Sequence, residues 1–156
     1  MAKKEKQKEI MIINRKAKYE FFFHSEYETG MVLMGTEIKS IREGTANIKE
    51  AYCFFLKGEL WIRNMFIAEY KFGTYNNHDP LRPRKLLMSK RELKKLGRRV
   101  TEKGFTIVPY KLYISDRGFA KLLVVLASGK KKYDKRATMK DRESKRNLDR
   151  LKKIRL

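Results

Sequence analysis

The residue types that carry out covalent or acid–base chemistry are few and scattered in this chain. Its two histidines, His24 and His78, lie far apart, and Cys53 is the only cysteine. Neither histidine belongs to a pattern with metal-ligand spacing, and no glycine-rich phosphate loop of the nucleotide-hydrolase or dinucleotide-binding type occurs. A lone cysteine forms no disulfide framework, so we interpret Cys53 as a small buried hydrophobe. The sequence therefore predicts no catalytic residues, no metal site and no cofactor.

Basic side chains, in contrast, are abundant. The 156 residues include 39 Lys+Arg and 18 Asp+Glu, a net charge of +21, and the pI is about 10.1. This balance indicates nucleic acid first, and an anionic membrane surface or an acidic protein after it. Cations contact phosphates and exposed aromatic rings stack on unpaired bases, a combination that suits structured RNA with open loops. The predicted contacts, each of which could alternatively serve solubility alone, are Arg15, Lys16, Lys18, Arg82, Arg84, Lys85 and Lys121.

The charge is most concentrated in the C-terminal tail, residues 129–156. This segment holds 13 Lys+Arg and 4 Asp+Glu, a net of +9, whereas residues 1–128 carry +12. Because it can bury so little, we expect the tail to be disordered until a polyanion neutralises it. Leu148, Leu151 and Ile154 recur at spacing three, which fits a frayed end, a helix formed in an anionic groove or, less well, a helix on a membrane surface.

Residues 14–128 read as a β-rich body that must position these cations. Residues 51–65 and 105–127 each have the pattern of a β-hairpin with a glycine-containing turn. An aromatic-rich run from Tyr19 to Met34 reads as one long strand bent at Gly30, or as two short ones. The long irregular segment 72–85 contains two prolines and ends in basic residues, which is typical of a functional or mobile loop.

Two helices interrupt the strands. The first is short, with Thr36 as its cap and Gly44 as a left-handed stop. The second is opened by the capping box of Ser89 and Glu92 and is ended by Gly104. We expect the shorter helix to close one end of the sheet, because it is too short to be stable without packing.

These elements predict a mainly β fold with flanking helices: about six strands in a closed antiparallel barrel of the oligonucleotide-binding (OB) type. The predicted division is a basic N-terminal arm and lead-in at 1–13, the barrel at 14–128 and the tail at 129–156. The N-terminus resembles no secretory signal, and no apolar run has the length of a membrane span. We expect a cytoplasmic monomer that does not contact membrane.

Several short motifs are more specific than a basic β-rich body requires. They are Asn14-Arg15-Lys16-Ala17, Tyr27-Glu28-Thr29-Gly30, Gly35-Thr36-Glu37-Ile38, Asn77-His78-Asp79-Pro80, Lys103-Gly104-Phe105-Thr106 and Gly129-Lys130-Lys131 with Asp134-Lys135-Arg136. In order and spacing they resemble the SmpB family of SsrA-binding proteins. The resemblance extends from about residue 14 to the C-terminus.

The resemblance implies a bacterial ribosome-rescue factor with an OB barrel. Such proteins bind the tRNA-like domain of transfer-messenger RNA (tmRNA) and bring it, with elongation factor Tu, to ribosomes that have no codon in the A site. The protein occupies the place of the missing anticodon arm. Its tail enters the decoding centre and the empty mRNA channel of the small subunit and folds there as a helix. A channel lined with RNA phosphate is where a tail of charge +9 gains most from ordering.

The resemblance also assigns roles to residues. On the barrel, Glu28, Leu87, Ser89 and Lys121 fall at positions of RNA contact or of support for it; Leu87 could instead be core, and Ser89 only a helix cap. In the tail, Tyr133 falls beside the decoding bases, on which its ring could stack. The remaining tail residues implied are Lys130, Lys131, Asp134, Lys135 and Arg136, with Leu148, Leu151 and Ile154 on the helix.

The leading hypothesis is therefore a non-enzymatic RNA-binding adaptor of trans-translation. A general ribosome-associated or single-strand RNA-binding protein is the alternative, since it explains the charge and the barrel without the ordered motifs. An RNA enzyme would require a carboxylate cluster or an activated histidine, which the sequence does not offer.

Overall fold

The computed structural model describes residues 10–154, which form nine strands, four α-helices and one 3₁₀ turn at Thr74–Asn76. The strands are β1 Met11–Ile13, β2 Phe21–Met31, β3 Ala46–Asn47, β4 Tyr52–Leu56, β5 Glu59–Arg63, β6 Phe66–Ile67, β7 Arg84–Leu87, β8 Thr106–Ile114 and β9 Ala120–Gly129. The helices are α1 Arg15–Glu20, α2 Gly35–Arg42, α3 Lys90–Lys103 and α4 Lys132–Ile154. Residues 1–9 of the predicted arm and lead-in, and the last two residues of the tail, lie outside the described residues.

Seven strands form one antiparallel sheet in the order β1-β8-β9-β2-β7-β5-β4, and β3 pairs with β6 separately. The mainly β class with helices is confirmed, but the closed barrel of about six strands is not. Within residues 10–154, no ladder joins the edge strands β1 and β4. The sheet curls until β4 lies against β8. Because β1 already pairs with residues 111–113 of β8, it occupies part of the edge that β4 would need to close a barrel.

Both predicted hairpins are confirmed, since β4 pairs with β5 and β8 with β9. Strand β2 is continuous, as one of the two readings had it. Its irregularity, however, lies between Phe23 and Ser25 and not at Gly30. Gly30 is a regular member of the ladder, between Leu87 of β7 and Lys121 of β9. The glycine therefore serves a purpose other than bending the strand.

The predicted strand start at Tyr19 is wrong, because the chain is helical until Glu20. Asn14 causes the difference: its Oδ1 accepts a hydrogen bond from the Ala17 amide (3.2 Å), and its Nδ2 donates to the Pro109 carbonyl (3.1 Å). A buried cap fixed to β8 outweighs the strand preference of an aromatic residue. The predicted cations at 15, 16 and 18 consequently lie on a one-and-a-half-turn helix.

At α2 the predicted stop is confirmed, since Gly44 has φ +78°. The predicted cap is not. Met34 is the residue before the helix, and the Glu37 carboxylate accepts a hydrogen bond from its amide at 2.8 Å. The hydroxyl of Thr36 is engaged elsewhere, 2.9 Å from Nδ1 of the buried His78. This contact ties α2 to the loop before β7.

At α3 both predicted ends are confirmed. Ser89 Oγ accepts a hydrogen bond from the Glu92 amide (3.3 Å), and Gly104 follows the helix with φ +64°. Leu96 is fully buried from the middle of this helix. Through Leu96 the helix packs against the core of the curled sheet.

The core lies on the inner face of the sheet, closed by α2 and α3. Ile41 of α2 and Leu96 of α3 belong to the same buried cluster as Leu60, Leu122 and Cys53. Burial raises the pKa of the Cys53 thiol far above its ordinary value, so it remains protonated. A second, smaller cluster packs α1 against the other face, through Ala17, Val108, Val125 and Ala127.

Candidate nucleic-acid interface

A line of directly paired residues crosses the outer face of the sheet. Leu87 pairs with Gly30, Gly30 with Lys121, Lys121 with Tyr113, and Tyr113 with Met11. Directly paired residues project from the same side of a sheet, and the side chain after Lys121, Leu122, is buried on the opposite side. The fold thus brings Leu87 and Lys121 to the two sides of one glycine. We call the five residues Leu87, Gly30, Lys121, Tyr113 and Met11 the sheet row.

Gly30 allows Leu87 to lie close to β2. A Cβ at position 30 would be 3.4 Å from the Leu87 Cβ, at the close end of ordinary van der Waals contact. Leu87 itself is 49% exposed, so the structure places it at the surface and not in the core. An exposed apolar side chain, Leu87, therefore lies on the other side of Gly30 from the cation Lys121.

Glu28 lies two residues before Gly30 and therefore faces the same side of β2. Its carboxylate accepts a hydrogen bond from the hydroxyl of Tyr113, a member of the sheet row. Partial burial, together with this bond and the charge of Glu28, raises the pKa of Tyr113 to about 12. Tyr113 was not among the predicted site residues. Its alternation with buried Leu112 in β8 is the signal that could have found it.

The two predicted loop arginines converge on a buried carboxylate. Glu37 is fully buried, and its Oε1 accepts a hydrogen bond from Arg84 Nε at 2.9 Å. Arg82 reaches the same carboxylate from the partly exposed side, with 2.8 Å between its Nη2 and Oε2 of Glu37. Arg84 is itself fully buried and also donates to the carbonyls of Met65 and Pro80.

The titration of these groups follows from their pairing. Burial alone would raise the pKa of Glu37, but the hydrogen bonds from Arg82 and the Met34 amide and the charge of Arg84 hold it below its ordinary value. Burial lowers the pKa of Arg84, and Glu37 opposes that effect. In this fold Arg84 has no exposed surface to offer a phosphate, and Arg82 offers about a third of its side chain. Both hold the loop against α2.

The remaining predicted cations of the body lie in separate places. Lys85, on β7, forms an ion pair with Glu59 (2.8 Å). On α1, Lys16 pairs with Glu50 at 3.2 Å, whereas Arg15 is exposed and Lys18 lies 6.0 Å from the ring centre of Tyr110. Because α1 precedes Phe21 and the sheet row crosses β2 at Gly30, about 30 Å of strand separates them.

Ser89 is exposed and caps α3, as the alternative reading of this residue had it. It directly follows Met88 and so lies near Leu87 at the edge of the sheet row. Its hydroxyl is engaged with the helix, since it accepts from the Glu92 amide.

The tail leaves the sheet next to α1. Lys130 donates from Nζ to the Lys18 carbonyl (3.2 Å) and to Thr138 Oγ1 (3.0 Å), and the same Nζ lies 5.0 Å from the ring centre of Phe22. Asp134 accepts a hydrogen bond from the Lys131 amide at 3.3 Å, which begins α4. The predicted tail residues Lys130, Lys131 and Asp134 thus build the start of the helix.

Tyr19 is the second contact between the tail and the body. Its hydroxyl lies 3.5 Å from Met139 Sδ, and Lys135 Nζ and Arg142 Cζ each lie 6.0 Å from its ring centre. Beyond this point α4 is exposed throughout: Leu148, Leu151 and Ile154 are 57%, 60% and 80% exposed. Tyr133 (68% exposed) and Arg136 also face solvent. That the tail is disordered in the free protein stays a prediction.

Both histidines have hydrogen-bond partners. His24 Nε2 lies 2.8 Å from Ser128 Oγ, and His78 Nε2 lies 2.9 Å from the Ile67 carbonyl. Within residues 10–154, no group of three or more His, Cys, Asp or Glu side chains is placed to hold a metal ion. In the same part of the chain, no helix is long and apolar enough to cross a membrane.

The fold and this surface define a class: a nucleic-acid-binding protein built on a curled, basic antiparallel sheet with a cationic helical tail. The family model for SmpB protein matches residues 11–154. The chain belongs to the SmpB family.

Individual relatives agree with this assignment. The SsrA-binding protein of Christiangramia forsetii is 56% identical over 144 residues, 92% of this chain and 92% of that protein. Those of Phocaeicola vulgatus and Staphylococcus carnosus are 51% and 49% identical, over 91% and 98% of this chain and 95% and 97% of their own lengths. A solved structure, described as "tmRNA-SmpB: a journey to the center of the bacterial ribosome", is similar with a TM-score of 0.66 and 44% identity, over 79% of this chain and 86% of that one.

Proposed function

We propose that this chain is an RNA-binding adaptor of trans-translation. It binds the tRNA-like domain of tmRNA through the sheet row and delivers that RNA to stalled ribosomes, where the tail occupies the decoding centre and the empty mRNA channel. The observation that carries the proposal is the sheet row itself: an exposed leucine and a lysine flank a glycine on a domain whose relatives are SsrA-binding proteins.

The residues on and around the sheet row have distinct tasks. Lys121 contacts a phosphate, and Leu87 packs against a ribose or a base. Glu28, held by Tyr113, keeps acceptor capacity because a carboxylate accepts more than one hydrogen bond, so it can bind an amino group on a base edge. Arg82 and Lys85 supply positive charge near the sheet row. Arg84 acts through Glu37, by holding the loop that precedes β7.

The tail binds the ribosome. Its net charge of +9 suits a channel lined by phosphate, and the exposed ring of Tyr133 suits stacking on a nucleobase near its entrance. Lys131, Lys135 and Arg136 neutralise phosphates at that entrance. A message in the channel excludes the tail, so competition for one groove makes the adaptor select empty ribosomes.

The same proposal covers the type of fold, the division of the chain, its oligomeric state and its accompanying factor. The curled sheet is a partly open relative of the OB barrel, with residues 14–128 binding the tRNA-like domain and 129–156 binding the ribosome. The protein acts as a cytoplasmic monomer without catalytic residues, and elongation factor Tu accompanies the charged tmRNA.

The proposal is tested by comparing affinities for a tRNA-like domain and for an elongator tRNA of similar length at physiological salt. Similar charge on the two RNAs cancels most of the nonspecific electrostatic attraction. We expect a clear preference for the tRNA-like domain. Equal affinities would instead favour the general RNA-binding protein considered above.

A further inference from the structure

A concave surface adjoins the sheet row. It lies between the turn of the β4–β5 hairpin, the end of β7 and helix α3, and has a volume of about 720 Å³. That volume falls in the range of ordinary ligand sites, which is roughly 300–1,000 Å³. We call it the α3 groove. None of its residues is needed for the contacts assigned above except Leu87 and Lys85, which border both surfaces.

The floor of the α3 groove is apolar. Phe55 of β4, Met88 and Leu93 of α3 line it, and all three are partly buried against the core. Gly97, in the middle of α3, faces Phe55: a Cβ there would be 3.8 Å from the Phe55 Cζ, an ordinary contact. Glycine is a poor residue for the interior of a helix. What it provides here is a side of α3 without a side chain, next to the Cζ of the Phe55 ring.

The rim of the α3 groove is cationic. Lys57, Lys85, Lys90 and Lys94 line it, and Glu59 is the one acidic residue among the lining side chains of the described chain. Glu59 is already paired with Lys85 at 2.8 Å. An apolar floor under a ring of ammonium groups attracts a ligand that is flat and apolar at its centre and negatively charged at both ends.

We propose that the α3 groove receives an unpaired nucleobase of the RNA strand that crosses the sheet row, with its flanking phosphates on the rim lysines. The inference rests on the proposed function and adds a base-binding site to it. An RNA strand has the required chemistry, because each base lies between two phosphates and every base has a face that stacks on an aromatic ring. Leu87 joins the two surfaces, so a strand that leaves the sheet row beside it enters the groove directly.

Gly97 offers a steric test. In Gly97→Leu the added side chain fills the groove above Phe55, while the helix gains a better helix former. Gly97→Ala is the matched control, since its methyl group makes an ordinary contact and leaves the groove open. We expect Gly97→Leu to bind the tRNA-like domain roughly ten- to a hundredfold more weakly, the magnitude of one lost stacking contact. Gly97→Ala should bind like the wild type.

A second pair of variants tests the rim. Lys94 lines the α3 groove and its neighbour Lys95 does not, so Lys94→Ala should weaken binding severalfold more than Lys95→Ala at equal net charge. To identify the base, unpaired positions of the RNA are replaced one at a time by 2-aminopurine. We expect one position whose fluorescence changes on binding to the wild type and does not change with Gly97→Leu.

The outcomes are separable. Unchanged affinity of Gly97→Leu, or an equal loss with Gly97→Ala, overturns the base-binding site even if the wild type prefers the tRNA-like domain. If Gly97→Leu binds that RNA normally but associates less with ribosomes, the occupant is ribosomal and the proposal is also wrong. If the proposed function itself is wrong, the wild-type protein will bind the tRNA-like domain and elongator tRNA with equal affinity. Thermal unfolding of each variant confirms that α3 is folded.

Discussion

The two ends of the β2–β9 ribbon differ in how their cationic side chains are buried and paired. At the end near Gly30, the guanidinium of Arg84 is fully buried, and it shares the Glu37 carboxylate with Arg82. At the end near Phe21, the cations of the tail lie over aromatic rings or in solvent. Lys130 covers Phe22, and Lys135 and Arg142 flank Tyr19.

This difference separates cations that maintain the fold from cations that are available to a partner. A buried ion pair fixes one arrangement, because breaking it leaves an uncompensated charge in the interior. A lysine over an exposed ring contributes far less and can exchange its partner for a phosphate. The ion pairs therefore make the first end rigid, which suits the folded RNA that we propose binds there. The second end joins the body to a tail that can change its position.

Removing the tail should have the largest effect on function. The chain should end after Lys131, because β9 extends to Gly129 and must stay intact. We expect this truncation to abolish tagging of nascent chains on stalled ribosomes in a reconstituted translation assay. Its preference for the tRNA-like domain over elongator tRNA should persist. Loss of both properties together would show that the tail belongs to the primary RNA site and that the two ends do not divide the work.

Glu37→Gln should cause the largest loss of stability. The substitution keeps the size of the side chain but removes the carboxylate that pairs with the buried guanidinium of Arg84, which costs about 3–5 kcal/mol. Denaturant unfolding measures the loss. Glu20→Gln is the control, because the Glu20 carboxylate forms a surface pair with Lys16, at 3.9 Å, and such pairs contribute about 0–1 kcal/mol. Equal losses for the two variants would contradict the contrast between the two ends.

The same carboxylate gives a pH dependence. Its folded-state pKa lies below the unfolded value, so its contribution to stability is present above the unfolded pKa and is lost as pH falls through the folded one. We expect the unfolding free energy of the wild type to decrease in this acidic range. Glu37→Gln should show a flatter decrease there, since position 37 no longer titrates. Parallel curves would show that Glu37 is not a main contributor.

The sequence predicts which residue types matter better than it predicts which of them are exposed. Arg82 and Arg84 belong to one basic motif, but Arg84 is buried because Glu37, 47 residues earlier, reaches it. Likewise α1 forms because Asn14 bonds the carbonyl of Pro109, 95 residues later. Both outcomes depend on contacts between distant segments. Local signals did suffice for the hairpins and for the ends of α3, where two or three neighbouring residues determine the geometry.

Strand register explains the other features of the site that the sequence did not predict. Leu87 and Lys121 were each predicted, yet nothing local indicates that they face the same glycine from opposite sides. Tyr113 was missed because its partner, Glu28, lies on a strand that is not its hairpin neighbour in sequence. A shift of one residue in any of these ladders would place part of the row on the inner face and so divide it.

Lys121→Glu should have an intermediate effect, confined to the rigid end. We expect weaker binding of the tRNA-like domain and a log–log salt dependence that is flatter by roughly 0.7–0.9 per lost phosphate contact. Lys49→Glu is the matched control, because it changes the net charge equally at an exposed position outside the sheet row. If the slope stays the same, or if the control changes it equally, Lys121 does not contact a phosphate.

Tyr19→Ala should have the smallest effect, because it removes only surface contacts between α1 and α4. Each cation–aromatic contact at an exposed site contributes about 0.5–1 kcal/mol. We expect global stability to change little, whereas amide hydrogen exchange in residues 134–142 of the free protein becomes faster. Tyr52→Ala, at an exposed tyrosine on β4, controls for loss of an aromatic surface. If residues 134–142 exchange without protection in the wild type, Tyr19 does not hold the tail, and this end is mobile from Gly129 onward.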